Sequence, residues 1–281
     1  MSGFKCLFIL LLFFLTPPLL KAKDKSKPTV VLLGQWHLLS TQKTLDIKES
    51  KNLPQFPNQK AIYLILKDWI SKGQLSEVIA EGCEGEIDEK FSLNFNGWDY
   101  KKLKSLSHED SYADVMTSVP LKTEVLFGNS VKTMCGDNSV LIKKHQMIMS
   151  DLQGFAGFYF RLKEAKEKSN TRGFLAYQRA LEEASKTKIK DPIHYCRNKL
   201  HTLLEKEKVV LEKRNEHFLK VISRNHFLKS AVVIGYRHLA GLKKLLEKKG
   251  YRVETPDLIQ ETLPKTDFMS ELKSKIQALR E

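Results

Sequence analysis

A chain of 281 residues that is 42% hydrophobic has the apolar material for one large domain, or one domain with an insertion, and so is not a disordered, collagen-like or repeat-solenoid protein. Its 47 basic against 33 acidic side chains leave a formal charge of +14, which suits a solvated basic face or an anionic partner surface. Nucleic acid is not the expected partner, because no recognition motif accompanies the charge and the N-terminus reads as an export signal.

That signal comes first in chain order. Lys5 supplies a positive start, residues 6–15 are almost unbroken apolar sequence, and Pro17 and Pro18 then break it. The run is short for a membrane span, so residues 1–22 are read as a signal peptide cleaved near Ala22, with an uncleaved N-terminal anchor as the alternative. The expected location is periplasmic or secreted, and residues 28–281 are expected to form a single α/β domain.

Residues 29–33 are an apolar strand ending at Gly34, and His37 stands three residues beyond that glycine. A polar, proline-containing stretch over 40–57 follows. Asn58 is placed to cap a helix running to about residue 72, with Ala61, Ile62, Ile65, Leu66 and Trp69 on its apolar stripe, and Gly73 ends it. A second strand over 75–80 delivers Glu81-Gly82. The stretch 84–118, with Phe91, Phe95, Trp98 and Tyr100, reads as short helices and loops, and 131–134 as a short strand closed by Cys135-Gly136-Asp137.

From 139 to 229 the pattern is helical, with interruptions expected near Gly154, Gly157, Gly173 and Pro192. Bases outnumber acids about two to one here, which is first a solvated helical face and alternatively a surface for an anionic envelope polymer or lipid. A strand over 231–234 then leads to Gly235-Tyr236-Arg237-His238, repeating the earlier glycine-to-histidine spacing. A helix over 239–249, a stop at Gly250 and a strand over 251–254 follow. The expected fold is α/β, a mostly parallel sheet formed from two β-loop-α-β halves with a large helical insertion at about 139–230 between them.

Parallel strands would turn His37, Glu81, Asp137 and His238 toward one edge of the sheet, where open α/β sheets bind ligands. The helical region adds an inward stripe of Leu200, Leu204, Leu211, Phe218 and Ile222, with Arg214 at helical spacing on it and Asn215 beside it. A buried guanidinium needs an anionic partner, either Glu81 or a substrate carboxylate or oxyanion. Export permits disulfides: Cys83 and Cys135 each follow a strand and can meet at one sheet edge, leaving Cys196 unpaired, though sequence alone does not set the connectivity. The aromatics Trp36, Trp98, Phe155, Phe158 and Tyr159 are read as core before cleft.

The segments 30–37 and 78–82, Arg214-Asn215, and above all residues 232–242 running on to Lys249-Gly250-Tyr251, resemble the TraB/GumN, TIKI and ChaN-like proteins, relatives of the erythromycin esterases. The resemblance implies paired histidine loops around a shared cleft, with His37, Glu81 and His238 as site residues and metal ligands and Arg214 and Asn215 as the helix motif. Gln35 departs from it, since many relatives carry an acidic or small hydroxyl residue there. The implied function is metal-dependent hydrolysis of a peptide or ester. In it a divalent metal is held, or a water oriented, by His37, Glu81 and His238, while Arg214 and Asn215 steady an oxyanion or a substrate carboxylate. The alternatives are a metal-free version with a histidine as general base, a ChaN-like haem or iron binder, and a silent envelope-binding protein.

Overall fold

The computed structural model of the chain describes residues 27–37, 52–87, 131–224, 229–266 and 268–277. Residues 1–22, expected from the sequence to be a signal peptide, and the aromatic stretch containing Phe91, Phe95, Trp98 and Tyr100 lie outside them.

Six strands form one sheet: β1 (Thr29–Gln35), β2 (Glu77–Ala80), β3 (Glu84–Glu86), β4 (Lys132–Gly136), β5 (Lys229–Gly235) and β6 (Arg252–Glu254). Their order across the sheet is β3-β4-β2-β5-β1-β6, and every pairing is parallel except the antiparallel β3–β4 edge. The apolar runs predict this, because a strand covered on both faces has no reason to alternate. On one face Val31, Leu33, Val78, Ala231 and Val233 pack against Ala61, Ile62, Leu66 and Ile70 of helix α1 (Phe56–Ser71). The residues between them, Val30, Leu32, Ile79, Val232 and Ile234, face the opposite way.

The insertion is three helices, α2 (Ser139–Glu167), α3 (Thr171–Ser185) and α4 (Pro192–Arg224), and the chain ends through a 3-10 turn (Tyr236–His238), α5 (Leu239–Lys248), α6 (Asp257–Glu261) and α7 (Phe268–Gln277). The C-terminal part of α4 (Phe218, Ile222) joins α5 (Leu242, Leu246) against the second sheet face. Farther up, Leu200 and Leu204 of α4 share a separate core with Leu152 and Leu162 of α2, Leu181 of α3 and Leu272 of α7. Helix α4 therefore belongs to both the sheet and the insertion.

Local differences have local causes. Gly154 and Gly157 do not interrupt α2; each lies where an added Cβ would meet nothing within 4 Å, so the helix pays only their modest propensity penalty. The break comes at Lys168 to Asn170, where Ser169 takes φ 53° and the Asn170 side chain caps α3 by accepting from Gly173 N. Helix α1 starts at Phe56 with Pro57 in its first turn, so Asn58 is not its cap. Strands β1 and β5 run through Gly34 and Gly235 instead of ending before them, pairing Gly34 with Ile234 and Gln35 with Gly235. Of the five aromatics read as core, Tyr159 is buried, Phe155 and Phe158 pack around the helical core, Trp36 is half-buried at the cleft, and Trp98 lies outside the described residues.

Candidate active site

The central position of β5 decides the site. It lies between β1 and β2 in register, so the exits of three strands stand side by side: His37 after β1, Glu81 after β2, and the 3-10 turn with His238 after β5. The ladder continues one residue past β2, Glu81 N donating to Val233 O at 3.1 Å, which fixes the direction in which the glutamate leaves the sheet.

Glu81 is the hub. Its Oε2 accepts from the backbone N–H of Gly235 and lies 3.2 Å from His37 Nε2. Its Oε1 accepts from Arg214 Nη2 at 2.5 Å and lies 3.4 Å from His238 Nε2. Gly235 has to be glycine, because a Cβ there would stand 2.8 Å from His37 Nε2 and 2.9 Å from Glu81 Oε2. Burial alone would raise the Glu81 carboxyl, but the neighbouring His238 and His37 outweigh it and hold the group well below the usual carboxylate range.

Arg214, 4% exposed, is clamped from every side. Its Nε donates to Asp137 Oδ1 at 3.1 Å, its Nη2 to Asp137 Oδ2 and to Glu81, and its Nη1 to His145 Nδ1 at 2.8 Å. Burial would lower the guanidinium, yet Glu81 and Asp137 push it above its already high value, so it is a permanent cation. The buried set of one guanidinium and two carboxylates thus carries one negative charge in excess. Asp137 is itself held in place, accepting at Oδ2 from Gly82 N at 3.3 Å. The Cys83–Cys135 disulfide, with Cα atoms 5.1 Å apart, ties together the two strand exits that carry Glu81 and Asp137. Cys196 is the buried free cysteine.

His238 is buried at 2% exposure, and its Nδ1 meets Asn215 Oδ1 at 2.6 Å. An amide oxygen only accepts, so Nδ1 carries the proton and Nε2 presents its lone pair toward Glu81. Burial lowers the basicity of His238 more than Glu81 restores it, and Arg214 lowers it further. Asn215 sits against Gly241, where a Cβ would come within 2.5 Å of its Nδ2. His37 differs: its side chain is 49% exposed, and its contact with a carboxylate requires Nε2 to be the donor.

Every residue expected at the site is therefore brought to it. Arg214 donates to Asp137, Glu81 and His145, and Asn215 accepts from His238 Nδ1, so the two position the carboxylate and the imidazole. Gln35 has a structural use, its Nε2 donating to Gln59 Oε1 at 2.9 Å. Asn58 and Gln59, in the first turn of α1, hold the loop after β1: Asn58 accepts from Trp36 N at 2.7 Å and donates to Gly34 O at 2.9 Å, while Gln59 donates to Trp36 O at 2.7 Å.

Three residues absent from the expectation complete the wall: His145 of α2, Glu207 of α4, and Arg237 of the 3-10 turn. Arg237 Nη2 donates to Glu207 Oε1 at 2.6 Å, and His145 Nε2 lies 3.4 Å from the same oxygen. Glu207 was legible in principle, because it falls between Leu204 and Leu211 on the same helical stripe as Arg214. His145 carries no such signal, standing between two lysines and a glutamine. His145 and Arg237, with Glu207 buried behind them, border a cavity of ≈ 670 Å³ whose apolar side includes Met149, Leu211 and Met269.

Among the described residues, no three His, Cys, Asp or Glu side chains stand ready-made in metal-ligand geometry. The donor chemistry of His37, His238 and Glu81 still matches the two-histidine, one-carboxylate set of hydrolytic metal centres, and the excess negative charge and the opposed acceptors His238 Nε2 and Glu81 Oε1 both favour a cation or a proton between them. No family model, curated protein or solved structure matches this chain.

Proposed function

We propose that the chain is an exported hydrolase of the type implied by its resemblance to the TraB/GumN, TIKI and ChaN-like proteins, cleaving a peptide or ester carbonyl in this cleft with a divalent ion bound at His37, Glu81 and His238. The observation that carries the proposal is the buried Glu81 carboxylate with an imidazole Nε2 at 3.2 Å from one oxygen and another at 3.4 Å from the other. A bound divalent ion would lower the pKa of its water and polarise the substrate carbonyl.

The protein's own groups prepare that chemistry. Asn215 fixes His238 in the tautomer that turns the Nε2 lone pair toward the site. Arg214 and the Gly235 N–H keep Glu81 ionised and immobile, so that little reorganisation remains when charge develops. His37 stands half-exposed at the mouth of the cleft. One observation favours a metal-free variant of the same reading: with Nε2–H donated to Glu81, the neutral His37 ring has its lone pair on Nδ1, which has no partner among the described residues. In that form Nδ1 takes the proton of the attacking water and Glu81 stabilises the resulting imidazolium.

Elemental analysis of the purified protein, alongside hydrolysis of a mixed peptide library and of p-nitrophenyl acyl esters, tests both forms. About one divalent ion per chain is expected, lost together with at least about 100-fold of activity in His37→Ala and in His238→Ala. Full activity in excess chelator, abolished by His37→Ala, selects the metal-free form. If both variants leave metal content and hydrolysis unchanged, the hydrolase reading fails, and a visible band on haem titration that disappears in His37→Ala identifies a haem-binding protein instead.

A further inference from the structure

Arg214 is 4% exposed and commits all but one of its N–H groups to Asp137, Glu81 and His145, whereas the second guanidinium of the cleft is far less engaged. Arg237 is 21% exposed at its side chain, borders the same cavity as His37 and Glu81, and commits one nitrogen, Nη2, to the buried Glu207. Its Nε–H and both Nη1–H groups have no partner among the described residues. Glu207 is 1% exposed and so holds the guanidinium in a fixed orientation, which reduces the rotamer freedom the side chain must lose when it binds something. A planar, oriented, partly desolvated guanidinium with unused donors is a carboxylate receptor.

We infer that Arg237 anchors a carboxylate of the substrate, and that the substrate is an anionic peptide or acyl-amino acid whose apolar part lies against Met149, Leu211 and Met269. This rests on the hydrolase reading of the same cleft. The wall's own charge opposes an anion, because Arg214 and Arg237 face three carboxylates, Glu81, Asp137 and Glu207, and one negative charge is left in excess. A divalent ion at Glu81 would reverse that sign and let the cleft hold an anion.

The test compares N-acetylated apolar dipeptides with a free and with an amidated C-terminus. The wild-type protein is expected to prefer the acid by about tenfold or more in kcat/KM, the scale of one charge-assisted hydrogen-bond pair, with the preference falling to near one in Arg237→Gln. That variant removes the guanidinium from the buried Glu207, so the double variant Arg237→Gln/Glu207→Gln, which places two neutral amides there, is measured beside it and is expected to lose the preference equally. Calorimetric binding of the same two peptides separates this inference from the hydrolase reading. If wild-type protein turns over neither peptide but binds the acid more tightly, and Arg237→Gln does not, the anchor stands and the chemistry falls. Equal binding and equal turnover of acid and amide by wild-type protein, or a preference that survives in both variants, overturns it.

Discussion

Glu77 is a carboxylate at the far end of β2 from the site, fully buried, and neither of its oxygens meets a partner in hydrogen-bonding geometry. Burial raises it to about 7, and the neighbouring Ser230 hydroxyl and Lys132 ammonium recover only part of that. Its folded value lies above the unfolded one of 4.5, so folding takes up a proton. Stability from this group is present below about pH 4.5 and is lost as pH rises to about 7, a loss on the order of 3 kcal/mol. Glu77→Gln is therefore expected to match wild type in urea unfolding near pH 4.5 and to exceed it by that order at pH 8.5. An unchanged difference across the two pH values would show that Glu77 is solvated or paired. Nothing in Ser76-Glu77-Val78 announces this residue in the sequence, because a glutamate at a strand start reads as solvated until the strand's neighbours are known. Glu81, by contrast, was legible, standing one residue past an apolar run.

At the scale of elements, β2 and β4 are joined twice, by their ladder and by the disulfide that closes a separation of 52 residues. Closing a loop of that length restricts the unfolded chain by about 4 kcal/mol on the chain-entropy scale. Reduction, or Cys83→Ala with Cys135→Ala, is expected to lower urea-unfolding stability by about 2–4 kcal/mol and to lower hydrolysis with it, since Glu81 and Asp137 lie within two residues of the bridge. Activity that survives the loss of the bridge at temperatures where the protein remains folded would show that the strand ladder alone holds the exits. Cys196 takes no part in this; burial pushes its thiol up to about 12, consistent with an inert core group. The elements themselves were mostly readable, because apolar runs and helical stripes are local. Their ends were not. The helical stretch divides where Asn170 can cap a new helix and not at Gly154 or Gly157, and β1 and β5 run on through their glycines because the parallel ladder supplies partners for that backbone.

For the whole molecule, Arg214 is the bolt between insertion and sheet. It leaves α4 two turns beyond Glu207 and reaches carboxylates at the exits of β2 and β4. Removing it would leave Glu81 and Asp137 buried without their cation. Arg214→Met is expected to destabilise the fold by about 3–5 kcal/mol, read as a lowered urea midpoint, and Arg214→Lys to restore part of this by charge while lacking the fork that spans Asp137. A midpoint within about 0.5 kcal/mol of wild type in Arg214→Met would show that the insertion is held by apolar contacts alone. The pair Arg214-Asn215 was visible as polar residues on an inward stripe, and a partner for the guanidinium was demanded. That the two residues hold Glu81 and His238 depends on distances that spacing along a helix does not contain.

The sequence by itself determined most of the periodic content of this protein: the strands and helices other than β3, α6 and α7, that the strands are covered on both faces, that a helical block divides them, and that two glycine-to-histidine loops and a glutamate stand at strand exits. These are consequences of local patterning, in which each residue's neighbours along the chain set its environment. β3 falls where short helices and loops were expected, because Glu84-Gly85-Glu86 has no apolar run and is a strand only through its pairing with β4. The tertiary structure alone decided that β5 inserts between β1 and β2, and this one fact of strand order brings His37, Glu81 and His238 together. It also decided which groups remain open to a substrate, closing Arg214 with three partners and leaving Arg237 with one, because burial and pairing of a charged side chain depend on elements far away in the chain.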